Sequence, residues 1–386
     1  MIFQTQLRVP GPTPLPDRVV RAASAPMIDH RGPEFAALLK EITEGAKRVF
    51  KTTNDVLFLT ASGSGGLESA ICNLVSPGDK VVAALCGNFG ERFAAMAETY
   101  GADVTKLAVE WGQPVEPADL AAVLEANPGT EIVLLTHNET STGLTNDIPA
   151  LARVAREAGA LVVVDGVSSV SSIAVETDAW GIDVFVSGSQ KGWMAPPGVS
   201  IVTISERAWE RAAKCTAPRF YFDWAEARKQ ANSGMTPFTP AVGVLYALRE
   251  GLRMLEEEGL EAAYERHARL AEATQAGLVA LGFTLFAAEG HRSNTVTSAV
   301  APGDLEADKL RKLLRNKYGV VLGGGQGKMK GRLIRIGHLG AVADGDIIQV
   351  IWAIEQGLQD MDFAPSDGRA VAAASLVFAG ATPASV

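Results

Sequence analysis

Short runs of mostly apolar, often β-branched residues recur along the chain at Val56–Leu59, Lys80–Leu85, Asp103–Leu107, Ile132–Thr136, Leu161–Val164, Val184–Ser187 and Val199–Ile204. Segments with the apolar spacing of helices separate many of them, as in Leu67–Leu74, Gly90–Gly101 and Ile148–Gly159. A strand that is apolar at nearly every position has no face to give to water. Such strands, alternating with helices, imply a mostly parallel sheet covered on both faces. The chain is therefore read as an α/β protein whose ligands bind beyond the carboxyl ends of its strands.

The flanking segments follow from the same reasoning. Residues 1–16, ending in PGPTPLP, read as an extended arm, because proline removes a backbone donor and restricts its predecessor. Such an arm needs a surface to lie on, in this subunit or a partner. Helices are expected over Asp17–Ala25 and Pro33–Phe50, and a large domain over residues 17–258 that closes with the helix Val242–Glu258. A second helix after Gly259 carries His267 on its apolar stripe, which reads as a packed histidine rather than a ligand. Strands at Phe283–Phe286, Thr295–Val300 and Leu333–Ile336, with helices at Leu305–Tyr318 and Asp344–Met361, make a small α+β domain over residues 259–363. Residues 364–386 show no usable periodicity and are expected to form a flexible tail.

Composition removes several classes of function. A formal net charge of −9 disfavours nucleic acid and anionic membranes as partners, since both attract basic surfaces. No run approaches the roughly 18 apolar residues of a membrane span. The N-terminus MIFQTQLRVPGPTPLP has no apolar core of a secretory signal. The three cysteines, Cys72, Cys86 and Cys215, match no disulfide or zinc spacing and suit small core residues of a cytoplasmic chain. The five histidines show no metal-ligand spacing, so no metal is expected.

Four loops follow predicted strands. Ser62-Gly-Ser-Gly-Gly66 precedes a helix, and its glycines let the backbone approach an anion at the helix N-terminus. A plain strand-to-helix turn accounts for it equally well, and Glu68 stands where a dinucleotide fingerprint needs glycine. The later run Gly323-Gly-Gly-Gln-Gly-Lys328 also fails the phosphate-loop test, because Leu322 and Met329 replace the required glycine and hydroxyl residue. THNETSTG sets polar side chains directly after IVLL. Asp165 ends LVVV, where it either caps the turn or faces a protonated ring nitrogen. Lys191 follows the strand DVFVS in VSGSQKGWMAPPG. A lone lysine is usually a surface group; one held at the end of a buried strand is also suited to form a Schiff base with a carbonyl cofactor. An anion cradle, a strand-end carboxylate and a strand-end amine together match the needs of pyridoxal 5'-phosphate.

The runs PGPTPLP, ASGSGGLESA, CGNFGERF, THNETSTG, VVVDGVSS, VSGSQKGWMAPPG and LIRIGHLG resemble the class V pyridoxal-phosphate aminotransferases of the alanine–glyoxylate and serine–glyoxylate type. The likeness runs from about residue 8 to about residue 360 in the same order. It implies the type I pyridoxal-phosphate transferase fold, with a mostly parallel seven-stranded sheet, a small C-terminal α+β domain, and a homodimer whose active sites lie at the interface.

Carried over by position, the resemblance makes Lys191 the Schiff-base lysine and Asp165 the partner of the pyridinium nitrogen. Ser64, Gly65, Gly66 and Gln190 would hold the phosphate. Thr140 would lie near the ring hydroxyl, and Phe89 would take the place of the family's ring-stacking aromatic. Thr236 and Thr239 would reach across the dimer to the partner's phosphate, although relatives often carry tyrosine at the first. Arg335, with Gly11, would receive the substrate, its guanidinium pairing both carboxylate oxygens. From the residues alone, an arginine in a small-domain strand could equally bridge surface carboxylates.

The expected activity is ping-pong transfer of an amino group from alanine or serine to glyoxylate or pyruvate. Rival readings are another enzyme of the same fold, such as an aspartate, phosphonate or ureidoglycine aminotransferase or a lyase, and a non-catalytic accessory subunit. A cysteine desulfurase is disfavoured because no cysteine lies in the C-terminal part.

Overall fold

The computed structural model describes residues 5–380. Seven strands, β1 (Asp55–Leu59), β2 (Lys80–Leu85), β3 (Asp103–Ala108), β4 (Ile132–Thr136), β5 (Leu161–Asp165), β6 (Val184–Gly188) and β7 (Ser200–Ile204), form one sheet. Their order is β1-β7-β6-β5-β4-β2-β3. Every residue of β4 to β7 is buried, whereas the edge strand β3 is half exposed.

Burial of both faces is visible in the alternation. Val82, Ala84, Val133, Leu135, Val162, Val164 and Phe185 pack with helices Pro33–Phe50, Ile148–Glu157 and Val242–Glu258. Their neighbours Val81, Ala83, Ile132, Leu134, Val163, Val184 and Val186 pack with helices Gly63–Leu74, Asn88–Thr99, Glu206–Ala212 and Trp224–Asn232. Strands of this type read as continuous apolar runs because neither set of side chains meets water.

The contacts β2–β3, β2–β4, β4–β5 and β5–β6 are parallel, while β7 runs antiparallel to both β6 and β1. A parallel return needs a crossover, usually a helix. Residues 189–199 contain none, so the chain turns back and Ser200 opposes Gly188. This tight return holds Lys191 just beyond the carboxyl end of β6.

A second sheet joins Gln6–Arg8, Val320–Gly324, Leu333–Gly337, Val296–Val300 and Thr284–Leu285 in that spatial order. The described part of the N-terminal arm thus lies on its own subunit, with Gln6–Arg8 parallel to Val320–Gly324. Arg8 is buried there and pairs with Asp346 at 2.6 Å. Met1 to Gln4 of the arm lie outside the described residues.

Several expectations need correction. Residues 369–378, read as flexible tail, form a helix that buries Ala370, Ala374 and Val377 among Leu270, Ala273 and Ile354. Their spacing is helical, but three small apolar residues in an alanine-rich run gave little signal. The rest of the tail expectation, residues 381–386, lies outside the described residues. Strand Val320–Gly324 was missed because its glycines hide the pattern, as were helices Pro117–Ala126, Glu206–Ala212 and Trp224–Asn232. The helix after β1 begins at Gly63, not Leu67, with Ser62 as its cap. Among the described residues, no helix is long and apolar enough to cross a membrane, and no group of metal-ligating side chains gathers.

Candidate active site

The carboxyl ends of β1, β5 and β6 open on one cleft of about 230 Å³. Ser62, Gly63 and Ser64 wall it from the loop after β1, and Phe89 and Arg92 from the first turns of helix Asn88–Thr99. Thr140 comes from the loop after β4, Asp165 and Ser168 from the end of β5, and Gln190 and Lys191 from the return after β6. Gly11 and Pro12 of the arm close the remaining side. A larger surface groove of about 480 Å³ lies between helices Pro33–Phe50 and Trp224–Asn232, but none of these strand-end groups walls it.

Two titratable groups in the cleft are shifted towards each other's range. Asp165 is buried, and its Oδ1 accepts the Val167 N–H at 2.9 Å. Burial raises its pKa to about 6 and Glu139 adds to this, while the Val167 N–H, Lys191 and Arg92 pull the other way. Burial, with help from the Arg335 charge, lowers the Lys191 pKa to about 8, and Asp165 opposes it. The Lys191 amine donates to the Pro10 carbonyl at 2.7 Å. The Lys191 carbonyl accepts from Thr13 Oγ1 at 3.1 Å, and the Gln190 carbonyl from the Thr13 N–H at 3.1 Å. The arm therefore braces the lysine loop from the side opposite the sheet.

The end of the cleft with free backbone donors is built on helix Gly63–Leu74. Ser62 Oγ accepts the Gly65 N–H, and the Ser62 carbonyl accepts the Gly66 N–H. Among the described residues the N–H groups of Gly63 and Ser64 have no partner, and both residues wall the cleft. This shifts emphasis within the expected set of Ser64, Gly65 and Gly66. Gly65 and Gly66 do not wall the cleft; a Cβ at Gly66 would collide with Ser200 and Val186, so that glycine serves helix-to-sheet packing. Gln190 lines the cleft, and its Oε1 is buried with no partner. Its Nε2 is the donor that an anion in the cleft would use, since Oε1 only accepts.

Thr140 Oγ1 donates to Ser168 Oγ at 2.8 Å, within a network that includes Asn138 and Thr295. Arg335 is 7% exposed and is not a wall of the cleft. Its Nε donates to the Gly324 carbonyl at 2.7 Å and its Nη1 to the Thr140 carbonyl at 3.1 Å, while Nη2 has no partner among the described residues. It thus stands directly behind Thr140. Thr236 bonds to Phe238 and belongs to the larger groove, and Thr239 is exposed. Neither reaches the cleft of its own chain.

Glu139 escaped the sequence reading although THNETSTG contains it. Its fully buried carboxylate accepts the N–H groups of Phe89, Gly90 and Ser141, and the Ser141 hydroxyl. It therefore caps the helix that carries Phe89 and Arg92. Gly87 permits this closeness, because a Cβ there would run into Glu139. Nothing in local patterning marks a carboxylate as the cap of a helix on another strand. Cys72 and Cys86 are buried, with thiols pushed up to about 12 by burial, and do not wall the cleft.

A small anion cradle, a carboxylate, a depressed-pKa amine and an aromatic face suit a planar heterocyclic aldehyde with a phosphate ester. The donor set, the free Gly63 and Ser64 N–H groups with the Ser64 hydroxyl, fits pyridoxal phosphate, to which Gln190 would offer its amide N–H rather than its Oε1. Comparison with known proteins points the same way. The family model described as Aminotransferase class-V matches residues 8–331. The chain is 42% identical to a Synechococcus protein named soluble hydrogenase, small subunit, over 98% of this chain and 99% of that one. It is 40% identical to serine–glyoxylate aminotransferase of Methylorubrum extorquens, over 96% of this chain and 95% of that one. Ureidoglycine–glyoxylate aminotransferase from Bacillus subtilis superposes with a TM-score of 0.93 at 29% identity, covering 98% of this chain and 99% of that structure.

Proposed function

The chain belongs to the class V aminotransferases, and from that premise we propose that it is a pyridoxal-phosphate-dependent transaminase moving the amino group of alanine or serine to glyoxylate or pyruvate. The observation that carries this reading is the meeting of Lys191 and Asp165 in one cleft, an amine lowered to about 8 beside a carboxyl raised to about 6. Bound pyridoxal phosphate supplies an aldehyde for amine exchange and a ring that takes up the electrons left when the α-carbon loses its proton.

The residues then divide the work. Gly63, Ser64 and Gln190 bind the phosphate, and Phe89 bounds one face of the ring. Asp165 keeps the ring nitrogen protonated, a role that favours its ionised form once a cation is opposite. Lys191 Nζ would take the proton from the substrate α-carbon and hold it for return, and a pKa near 8 suits a base working near neutrality. Arg335 takes the substrate carboxylate with its free Nη2 edge, held in line by its bonds to Gly324 and Thr140. Both half-reactions use one site, so kinetics are ping-pong. Thr236 and Thr239, which do not line their own cleft, serve the partner's phosphate in a cytoplasmic homodimer.

Incubating the purified protein with L-serine or L-alanine should convert the cofactor spectrum to the amine form, and glyoxylate or pyruvate should restore it. Lys191→Ala should lose turnover and the lysine-linked absorbance; a variant that keeps both rejects the assignment. The likeness to a hydrogenase subunit supports a second reading, a subunit that binds cofactor without turnover. Absence of any spectral conversion across a donor screen would favour it.

A further inference from the structure

The cleft contains a cation that the proposed reaction leaves unused. Arg92 walls it beside Ser62, Gly63 and Ser64. Its guanidinium lies over the Phe89 ring, 5.1 Å from the centroid, and Nη1 donates to Ser64 Oγ at 3.5 Å. Other solvent-facing arginines of this acidic chain, such as Arg18, Arg228 and Arg253, pair with carboxylates. Arg92 forms no ion pair among the described residues. Its nearby acids are engaged: Glu91 accepts from Trp111 Nε1 at 3.1 Å, and Glu139 is occupied by the N–H groups of the helix start. Stacking on Phe89 instead turns the charge towards the cradle and restrains its rotamers.

We propose that Arg92 is a phosphate-binding residue, its guanidinium completing with Ser64 and the Gly63 and Ser64 N–H groups the site for the phosphate ester of pyridoxal phosphate. The inference rests on the proposed function for the identity of that ester. A planar guanidinium offers paired N–H donors to phosphate oxygens, and a helix N-terminus alone supplies only partial positive charge.

The test compares pyridoxal phosphate with phosphate-free pyridoxal, each titrated by absorbance into the full-length protein stripped of cofactor. Arg92→Gln should weaken the phosphate form by roughly tenfold to hundredfold and leave pyridoxal unchanged. Arg92→Lys, which keeps charge but loses the planar fork, should fall between. Melting curves of both variants should match the parent, because Arg92 faces solvent. Unchanged affinity for the phosphate form overturns the proposal. Equal weakening of both forms also overturns it, since the residue would then act through Phe89. A rise confined to the KM of the amino donor overturns it in favour of a substrate contact. If the unaltered protein binds neither form, the transaminase reading itself falls, an outcome distinct from failure of Arg92 alone.

Discussion

The Lys191 amine donates a 2.7 Å hydrogen bond to the carbonyl of Pro10, a residue of the N-terminal arm. The arm reaches that point from a strand of the small sheet, where Arg8 is anchored to Asp346. The lysine is thus gripped by a segment whose other end belongs to the second sheet.

Gly11 is where this arrangement has no slack. Its φ is +141°, and a Cβ there would lie 2.6 Å from Lys191 Nζ and 2.7 Å from Cε. The flexible end of the lysine would yield before the backbone did. Gly11→Ala should therefore lower stability by about 1–3 kcal/mol through backbone strain. It should also cut turnover by at least about tenfold, since small misplacements of a reacting group are costly. Thermal melts and single-turnover rates separate the two effects, and a variant with full turnover rejects the crowding.

Lys191 also predicts how the cofactor-free protein responds to pH. Its folded pKa of about 8 lies below the ordinary value of 10.5. Between those values the unfolded chain binds the proton and the folded chain does not, so stability rises with pH through that window. Below about pH 8 the folded protein carries the full burden of a buried ammonium. Lys191→Met should remove it, stabilising the cofactor-free protein by about 1–3 kcal/mol at pH 7 and by little near pH 10.5. Urea midpoints of parent and variant at the two pH values check this; an equal gain at both would show that packing, not charge, is responsible.

The sheet and its two strand-end groups were legible in the sequence because their signals are local. Apolar strands such as LVVV are contiguous, and Asp165 and Lys191 directly follow the runs that position them. Residues whose role depends on a distant element were not legible. Glu139 caps a helix that begins at Asn88, and Arg92 matters only because that helix faces the cradle. The strand Val320–Gly324 exists because the arm and Leu333–Gly337 lie on either side of it, and its own glycines give no periodicity. Resemblance named Arg335 and Gly65, but only the packing puts the first behind Thr140 and gives the second's N–H to Ser62.

Glu139 supplies a direct test of that distant capping. Replacing it with alanine leaves the N–H groups of Phe89, Gly90 and Ser141 without their acceptor in a buried setting. Each orphaned buried donor costs about 1–3 kcal/mol, though not additively, so Glu139→Ala should lose at least about 2 kcal/mol. The start of helix Asn88–Thr99 should fray, with amide exchange there rising more than in helix Ile148–Glu157. Protection that falls equally everywhere would point to a general loss of stability instead.

The C-terminal helix makes the last prediction. Ala370, Ala374 and Val377 close the outer side of the core beside the second sheet against helix Leu260–Ala280. The Gly368 N–H donates to Glu355 Oε1 at 2.9 Å, and that carboxylate is 1% exposed. Ending the chain at residue 363 would expose Leu270 and Ala273 and leave the Glu355 carboxylate without this donor. Fully burying a single valine is worth about 1.5–3 kcal/mol, so the truncation should destabilise the protein by about 2 kcal/mol or more. The cleft lies at the other sheet, so the surviving folded fraction should bind pyridoxal phosphate with the parent's affinity. A truncated protein that melts with the parent would mean the helix adds surface but no stability; one that melts lower yet loses cofactor affinity while folded would mean the second sheet transmits its packing, through Arg8 and the arm, to Lys191.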